Sequence, residues 1–372
     1  MERVRLKDLV SLKTKKTEKN YYPYLEIGDV DIFDGKYILK DKKSVVGAIL
    51  AKKNDLLVSK VRPTRGAITT INENEISVSS GFAVLENKEN ISHKYLFYIL
   101  KYNKSFLEYL GKVSKGATYP TCSSNDILEY SIPNYTFDKQ KEIANELDKI
   151  QEIMDIRKKQ IKDFDNIIKS RFVEIFGDPD TNPYGYEVKK INEVSELIKG
   201  ITYSPEQVAD EGIIVLRSGN IKGSNFDLQD LVKITKDIDE SKWVKENDIL
   251  MCNRNGSARL VGKVTKIPKL NEEMTFGTFM TIVRSDYYEY LFVFFQTEAF
   301  RRQIQFQTAV AINQISLPLL ADVNVPIPPI DLQIQFATFV QQVNKLKFET
   351  QKSLGELEKL QESLMQKYLS WN

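Results

Sequence analysis

Residues 132–150, IPNYTFDKQKEIANELDKI, and residues 325–343, VPIPPIDLQIQFATFVQQV, share four residue types at matching places. The matches, all 193 residues apart, are Pro133 with Pro326, Asp138 with Asp331, Gln140 with Gln333 and Ala144 with Ala337. In both segments an extended stretch leads into a helical periodicity. An internal repeat decides the architecture of a whole chain, so it has to be recognised first.

The repeat extends upstream of these segments. GATYPTCS (116–123) falls on AVAINQIS (309–316) at the same offset, and KYLFYIL (94–100) matches EYLFVFF (289–295) at an offset of 195. KKNDLLVSK (52–60) matches VKENDILMC (244–252), where the Asn-Asp pairs are again 193 residues apart. Conserved order with small shifts indicates two copies of one unit that differ by short loop insertions.

Composition bounds the class of protein. The 372 residues exceed the usual size of one hydrophobic core, and 42% apolar with 28% charged residues is typical of a soluble globular chain. The N-terminal sequence MERVRLKDLV has no apolar run of signal-peptide length, and no run approaches a membrane span, so we expect a cytoplasmic protein. A net charge of +2 means that any nucleic-acid binding depends on local patches.

Cysteine and histidine, which serve as zinc ligands and in many catalytic sites, are rare in this chain, with two cysteines and one histidine. Cys122 and Cys252 lie far apart, which supports neither a disulfide framework nor a zinc site. His93 is the only histidine and has no catalytic partners near it in the sequence. The sequence therefore predicts neither a catalytic site nor a metal site of these kinds.

Each half begins with short strands separated by turn residues and continues with helices. The strand-like runs are YPYLEIGDV (22–30), DLLVSKV (55–61), GAITTI (66–71) and SVSSGFAVLE (77–86) in the first half, and IIVLRSGNI (213–221), DILMCN (248–253), LVGKVTKI (260–267) and TFMTIVRS (278–285) in the second. Helices follow at about 93–110 and 287–305. The predicted fold class is α+β, with two pseudo-symmetric α/β modules joined by two long antiparallel coiled-coil helices.

A long helix follows each module. Apolar residues alternate in steps of four and three, which is typical of a coiled-coil seam, with breaks at Arg157 and Arg171. The seam residues are Ile143, Leu147, Ile150, Met154, Ile161, Phe164, Ile168 and Ile175 in the first helix, and Phe336, Val340, Val343, Leu354, Leu357, Leu364 and Tyr368 in the second. Antiparallel packing would set the modules at opposite ends. The alternative is that each helix packs only on its own module.

These features predict four segments. The first module spans residues 1–137 and the first helix 138–177; a linker and the second module span 178–330, and the second helix spans 331–372. Gly177, Asp178 and Pro179 are expected to end the first helix.

Three segments resemble catalytic motifs and depart from them. GSARLVGKV (256–264) has one spacer residue too many for a phosphate-binding P-loop, and Val264 replaces the Ser or Thr that would hold magnesium. Asn182-Pro183-Tyr184 resembles the Asn-Pro-Pro-aromatic segment of adenine methyltransferases but lacks the second proline, so a turn is favoured. Asp180 with Glu187 and Lys189 resembles a magnesium-dependent nuclease core, although the first half has no matching lysine.

Two sets of loops carry side chains suited to phosphates and base edges, and they occupy matching places in the two halves. Arg and Lys can reach guanine, Asn and Gln can pair with adenine, and Gly lets the backbone approach a phosphate. The predicted DNA-binding residues are Ser59, Lys60, Arg62, Arg65, Lys112, Lys115, Thr118, Tyr119, Arg217, Asn253, Arg254, Asn255, Ser257, Arg259, Asn313 and Gln314. Solvated surface charge is the alternative.

The two-module plan, the two repeated loops and the segment RFVEIFGD (171–178) after the first helix resemble the specificity subunit of type I restriction–modification enzymes. The resemblance covers nearly the whole chain. It implies that the modules are target-recognition domains for the two halves of a split DNA site, and that the helices form a spacer that docks two methyltransferase subunits.

The resemblance also implies that catalysis lies in other chains. Methyltransferase partners would methylate adenine N6 with S-adenosylmethionine, and restriction partners would use ATP and magnesium to cleave unmethylated DNA, so we expect no cofactor in this chain. Two other functions stay open at this point: a standalone two-headed magnesium-dependent nuclease, and a protein-binding scaffold.

Overall fold

The computed structural model describes residues 2–17, 22–40, 47–305 and 314–369. Two compact units are present, one formed by Met1–Lys159 with Thr350–Asn372 and the other by Gln160–Glu349. Each unit contains one module and parts of both long helices. None of the helices in the described ranges is long and apolar enough to cross a membrane.

The elements of the first module are β1 (Arg3–Arg5), α1 (Leu6–Leu9), β2 (Val10–Lys13), β3 (Tyr24–Leu25), β4 (Ile49–Lys52), β5 (Leu56–Ser59), β6 (Ile68–Thr70), β7 (Glu75–Val78), β8 (Phe82–Asn87), α2 (His93–Lys101), α3 (Lys104–Val113), α4 (Ser124–Leu128) and β9 (Ser131–Pro133). The first long helix, α5 (Phe137–Phe176), follows. An antiparallel sheet has the order β2-β8-β5-β6, a second has the order β3-β7-β4 with β3 parallel to β7, and β1 pairs with β9.

The second module contains β10 (Glu187–Lys190), α6 (Ile191–Val194), β11 (Glu196–Lys199), β12 (Val208–Ala209), β13 (Ile213–Leu216), β14 (Ile221–Lys222), β15 (Asn225–Phe226), β16 (Val232–Ile234), β17 (Ile249–Cys252), β18 (Val264–Lys266), β19 (Met274–Phe276), β20 (Met280–Arg284), α7 (Tyr288–Phe294), α8 (Glu298–Gln305), α9 (Leu317–Ala321) and β21 (Asn324–Ile327). The second long helix is α10 (Ile330–Leu369). The order β11-β20-β17-β18 matches that of the first module, β13 runs parallel to β19, and β10 pairs with β21. The predicted α+β class with two similar modules is confirmed.

The helical segment predicted at 93–110 is two helices, not one. Asn103 lies between them, is 2% exposed, and its side-chain oxygen accepts a hydrogen bond from the Phe106 amide (3.1 Å). An asparagine in this role caps a new helix, so the periodicity continues while the axis changes. The segment predicted at 287–305 is likewise divided into α7 and α8. The short helix α4 lies in a stretch for which only a loop was predicted.

The repeated glutamines, Gln140 and Gln333, fix the start of each long helix. Gln140 donates to the Tyr135 carbonyl (2.9 Å), and Gln333 donates to the Pro328 carbonyl (2.7 Å). Both glutamines are buried. A buried amide needs hydrogen-bond partners, and here it ties the first turn of the helix to the short segment that connects it to the preceding strand.

The long helices have 40 residues each, which corresponds to a length of about 60 Å. In the first unit Gln361 donates to Gln151 (3.3 Å), and Tyr368 donates to Glu146. In the second unit the Lys347 ammonium lies 2.6 Å from Asp165. In each unit the residue numbers rise along α5 as they fall along α10, so the helices are antiparallel there.

The predicted seam is buried most completely near the modules. Ile143, Leu147, Ile150, Met154, Phe336, Val340, Val343 and Tyr368 are buried, whereas Ile161, Phe164, Ile168, Ile175, Leu354, Leu357 and Leu364 are half-buried. The buried side chains pack within the units, as expected for the seam of the spacer helices, and the docking of partner chains on these helices stays a prediction.

Near its end the seam of α5 shifts by one position. Phe172 and Phe176 are buried, whereas Ile175 is only half-buried. The Phe172 ring lies 5.1 Å from the Tyr290 ring and 5.7 Å from the Phe336 ring, measured between centroids. The seam shifts because this part of α5 packs on α7 of the module as well as on α10.

Gly177 ends α5 as predicted. Its φ of +75° is in the left-handed region, and its amide donates to the Val173 carbonyl (2.8 Å). A Cβ at this position would lie 2.4 Å from a Pro183 ring carbon, so only glycine fits without a shift.

Candidate nucleic-acid interface

In the first module the loop after β5 and the loop before α4 form one surface, which we call the first tip (residues 60–66 and 115–122). The Cys122 amide donates to the Lys60 carbonyl (2.9 Å), and the Arg62 amide donates to the Pro120 carbonyl (2.7 Å). A backbone bridge also joins Val61 to Thr121. The two loops were predicted as separate candidate surfaces, and the structure brings them together.

The second module repeats this junction in the second tip, which we define as residues 253–262, 277–279 and 314–318. The Ile315 amide donates to the Asn253 carbonyl (2.7 Å), and a backbone bridge joins Arg254 to Gln314. These pairs are the equivalents of Cys122 with Lys60 and of Val61 with Thr121, at the offset of 193. The junction is therefore a property of the repeated unit, whereas the side chains on it differ.

The side chains of the first tip divide into exposed and interior groups. Arg65, Lys115, Thr118 and Tyr119 are exposed, and so is Lys112 near the end of α3, outside the first tip. Lys60 and Arg62 are half-buried, and burial lowers the pKa of the Lys60 amine. Exposed cations next to backbone turns can contact phosphates, and the Arg62 guanidinium lies 4.2 Å from the centre of the Tyr119 ring.

Ser59 does not lie on the first tip. Its side chain is 2% exposed, and its hydroxyl donates to the Val61 carbonyl (2.8 Å). A hydroxyl used in this way shapes the turn after β5 and does not reach a ligand. The predicted contact of Ser59 with DNA is therefore corrected to a role inside the loop.

In the second tip Arg254 and Arg259 are exposed, and the Arg254 guanidinium lies 5.2 Å from the centre of the Phe279 ring. Asn253 and Gln314 line a cleft of about 360 Å³ together with Arg254 and Phe279. Asn253 is 7% exposed, and its side-chain oxygen has no hydrogen-bond partner among the described residues. Asn313 lies outside the described residues.

Asn255 and Ser257 support the second tip from within. The Asn255 amide nitrogen donates to the Ser218 hydroxyl (3.1 Å), and its oxygen accepts from the Ser257 backbone amide (2.9 Å). Both polar groups of Asn255 therefore have partners within the second module, which gives this residue a structural role in the tip. Its predicted base contact stays a prediction.

Arg217 lies on a second cavity of about 700 Å³, beside the second tip. The arginine forms an ion pair with Asp230 (3.1 Å), and the cavity is also lined by Tyr203, Thr278 and Phe279. Phe279 thus borders both this cavity and the cleft at Asn253. Phe279 is not among the residues predicted from the sequence, where its only signal is an aromatic residue after Gly277-Thr278, in the turn that precedes a buried strand.

The motif-like segments have ordinary structures. Residues 256–264 connect β17 to the antiparallel strand β18, whereas a P-loop leads into a helix. Asn182 has a φ of +41°, and its side chain is hydrogen-bonded to both backbone groups of Tyr186, which confirms the predicted turn.

The nuclease-like carboxylates belong to separate ion pairs, Asp180 with Arg302 and Glu187 with Lys189 (3.4 Å). Among the described residues no three His, Cys, Asp or Glu side chains are grouped as metal ligands would be.

Known relatives agree with this two-module architecture. The chain is 31% identical over 157 residues to the EcoKI specificity subunit of Escherichia coli (strain K12), a match that covers 40% of this chain and 34% of that subunit. It is 23% identical to the MjaIX specificity subunit of Methanocaldococcus jannaschii, over 95% of this chain and 84% of that one. The chain thus spans about a third of the E. coli relative.

Solved structures show the same fold. A chain from a study of complex assembly and conformational transition of the type I restriction–modification system superposes with a TM-score of 0.59 at 19% identity, over 99% of this chain and 97% of that one. The S subunit of the type I system from M. genitalium gives a TM-score of 0.54 at 17% identity, over 100% of this chain and 96% of that one.

A family model described as the type I restriction modification DNA specificity domain matches residues 1–163 and again residues 183–361. These two matches cover most of the chain and contain the first and second tips, respectively. The chain therefore belongs to the family of type I restriction–modification DNA specificity proteins.

Proposed function

We propose that this chain is the DNA-reading subunit of a type I restriction–modification system, in which each module contacts one half of a split duplex site. The observation that carries the proposal is the common junction of the two tips. An equivalent backbone hydrogen bond and an equivalent backbone bridge join the same two loops in both modules, while the exposed side chains differ. Two modules with the same loop junction and different exposed side chains are suited to bind two different half-sites.

The charge on the tips supports DNA as the ligand. Formal net charge is only +2, yet exposed cations gather on the loops of each tip. The phosphate backbone supplies much of the affinity for DNA, and base edges supply the sequence preference. The cations are placed to bind the backbone, and Asn253 and Gln314 are placed at a cleft where a base edge could be read.

We also propose that catalysis belongs to partner chains. Two methyltransferase subunits would use S-adenosylmethionine to modify an adenine N6 on each strand after extruding the base, and restriction subunits would use ATP and magnesium. Partner chains would dock on apolar side chains of the long helices that stay exposed, which include Ile153, Ile156, Ile167, Val173, Leu346 and Phe348.

The test is selection from random-sequence duplex DNA by the full chain together with an adenine methyltransferase encoded beside it. We expect enrichment of one motif with two short specified halves and an unspecified gap of fixed length. A single uninterrupted motif would contradict the two-reader proposal. Undetectable DNA affinity at low salt, with the partner present, would favour a protein-binding scaffold instead.

A further inference from the structure

Each tip exposes one large aromatic ring that is backed by an arginine. Tyr119 is 63% exposed with Arg62 beside its ring, and Phe279 is 52% exposed with Arg254 beside its ring. A ring that packs against a guanidinium on one side keeps another surface in solvent. Both rings are placed where the proposed DNA ligand would bind.

The two pairs do not derive from the same positions of the repeat. Tyr119 lies in the loop before α4, whereas Phe279 lies in the turn before β20. Their arginines also differ in position, because the equivalent of Arg62 is Asn255 and the equivalent of Arg254 is Val61. The shared arrangement is therefore not a simple consequence of the duplication.

In the first pair, Arg62 and Tyr119, the backbone of the arginine has an unfavourable conformation. Arg62 has φ +46° and ψ +52°, a left-handed conformation that is unfavourable for a long side chain. Its amide donates to the Pro120 carbonyl (2.7 Å), and its carbonyl accepts from the Arg65 amide (3.0 Å). These bonds hold Arg62 next to the residue that follows Tyr119.

The second pair is anchored through the Phe279 backbone. The Phe279 carbonyl accepts hydrogen bonds from the Asn253 amide (3.0 Å) and the Arg254 amide (3.3 Å). The ring and its arginine are thus fixed to one another through the main chain. Such an anchored ring is preorganised for contact with a flat ligand.

We propose that Tyr119 and Phe279 are specificity-determining residues that each stack on a base of their own half-site, at a base step that opens on binding. This inference rests on the proposed DNA-reading function. Aromatic rings stack on unstacked bases, and apolar side chains can wedge between base steps. The arginine behind each ring would bind a phosphate next to the stacked base.

The test uses the full chain with its methyltransferase partner and duplexes of the selected site that carry 2-aminopurine at one position at a time. We expect fluorescence to rise at one step in each half-site. Tyr119→Leu should abolish the rise in one half-site only and weaken binding roughly ten- to hundredfold, and Phe279→Leu should do the same in the other half-site. Each substitution thus serves as the control for the other module.

Three further variants separate the ring from its surroundings. Tyr119→Phe keeps the ring and should retain the signal, and Tyr184→Leu removes an exposed ring of the linker and should change nothing. Arg62→Gln should lower the salt dependence of binding, whereas Tyr119→Leu should leave it unchanged, because only the arginine carries charge. A fluorescence rise at the base extruded by the methyltransferase should persist in every variant.

Sequence-specific binding with no fluorescence rise within either half-site beyond the extruded base would overturn the stacking proposal and leave the proposed function standing. Equal changes in salt dependence for Arg62→Gln and Tyr119→Leu would mean that the ring only positions the arginine, which also overturns it. Failure to select any DNA motif would instead contradict the proposed function.

Discussion

Single residues explain why a weak sequence repeat gives two similar modules. Tyr95 donates to the Pro133 carbonyl (3.0 Å), and Tyr290 donates to the Pro326 carbonyl (2.6 Å). Burial raises the pKa of both phenols, so they stay protonated and donate across the physiological range. The repeat is thus retained most clearly where a buried polar group needs one particular partner.

Phe172 is the residue whose loss should most damage the core of the second unit. Its ring is fully buried and contacts the rings of Phe176, Tyr290 and Phe336. Phe172→Ala should lower the free energy of unfolding by about 3–5 kcal/mol, because it leaves a cavity. Val173→Ala is the matched control, since Val173 is 51% exposed and should cost less than about 1 kcal/mol. Equal losses in urea denaturation would contradict this assignment.

Lys101 should make the stability of the first unit depend on alkaline pH. Its ammonium is buried and donates to the carbonyls of Ile32 (3.0 Å) and Gly66 (2.8 Å), and burial lowers its pKa to about 8. The unfolded chain keeps the ordinary lysine pKa of about 10.4, so between these values the unfolded state binds more protons. The contribution of Lys101 to the free energy of unfolding should therefore increase as pH rises from 8 to 10.

Lys101→Met removes that titration while leaving the other ionisable groups in place. The wild-type value minus the Lys101→Met value, measured by urea denaturation, should increase between pH 7 and pH 10. A difference that does not change with pH would contradict the lowered pKa.

At the scale of elements, the long helices combine an apolar seam with a few polar contacts. Gln151 accepts from Gln361 (3.3 Å) and from the Tyr102 hydroxyl (3.1 Å) in the first unit. In the second unit Lys347, which is 8% exposed, reaches Asp165 (2.6 Å). An apolar seam alone permits slippage by a heptad, and buried polar contacts oppose it because a shifted register leaves them unpaired.

Deletion of one seam heptad from each long helix should change the gap between the half-sites. Seven residues correspond to about 10 Å of helix, or roughly three base pairs of DNA. The two half-sites themselves should stay the same, because the tips are untouched. Selection from random duplex DNA measures both quantities, and an unchanged gap would show that the helices do not set the spacing.

At the scale of the whole molecule, the chain divides into units that do not follow the linear order of the sequence. The first unit includes the C-terminal part of α10, from Thr350 onward, and the second includes α5 from Gln160. Met365 and Tyr368 near the end of the chain belong to the same hydrophobic core as Leu6 near its start. Each module is therefore stabilised by helix segments that are distant in sequence.

Exchange of residues 1–132 for the first module of another family member should replace one half-site only. The second half-site and the gap should persist, because the second tip and both long helices are retained. Changes in both half-sites would contradict independent reading by the two modules. The core of the first module includes residues of α10, so a foreign module that does not pack against them would leave the chimera unfolded. The thermal unfolding profile identifies a chimera that fails to bind DNA for this reason.

The sequence determined the duplication, the α+β class and the helical seam, because these follow from local periodicity and from buried groups that recur at a fixed spacing. It also indicated the loops of both tips, since turn residues and cations cluster there. It did not reveal that the two loops of each module are joined, because backbone hydrogen bonds such as Cys122 to Lys60 connect residues that no local pattern links.

Only the tertiary structure decided which polar residues face outward. Ser59 and Asn255 have side chains of the types that contact DNA but form hydrogen bonds within their own modules, and Phe279 gave almost no signal although it borders two cavities. Burial and hydrogen-bond geometry are set by neighbours from distant parts of the chain. Residue type fixes what a side chain can do, and packing decides which of these possibilities is open to it.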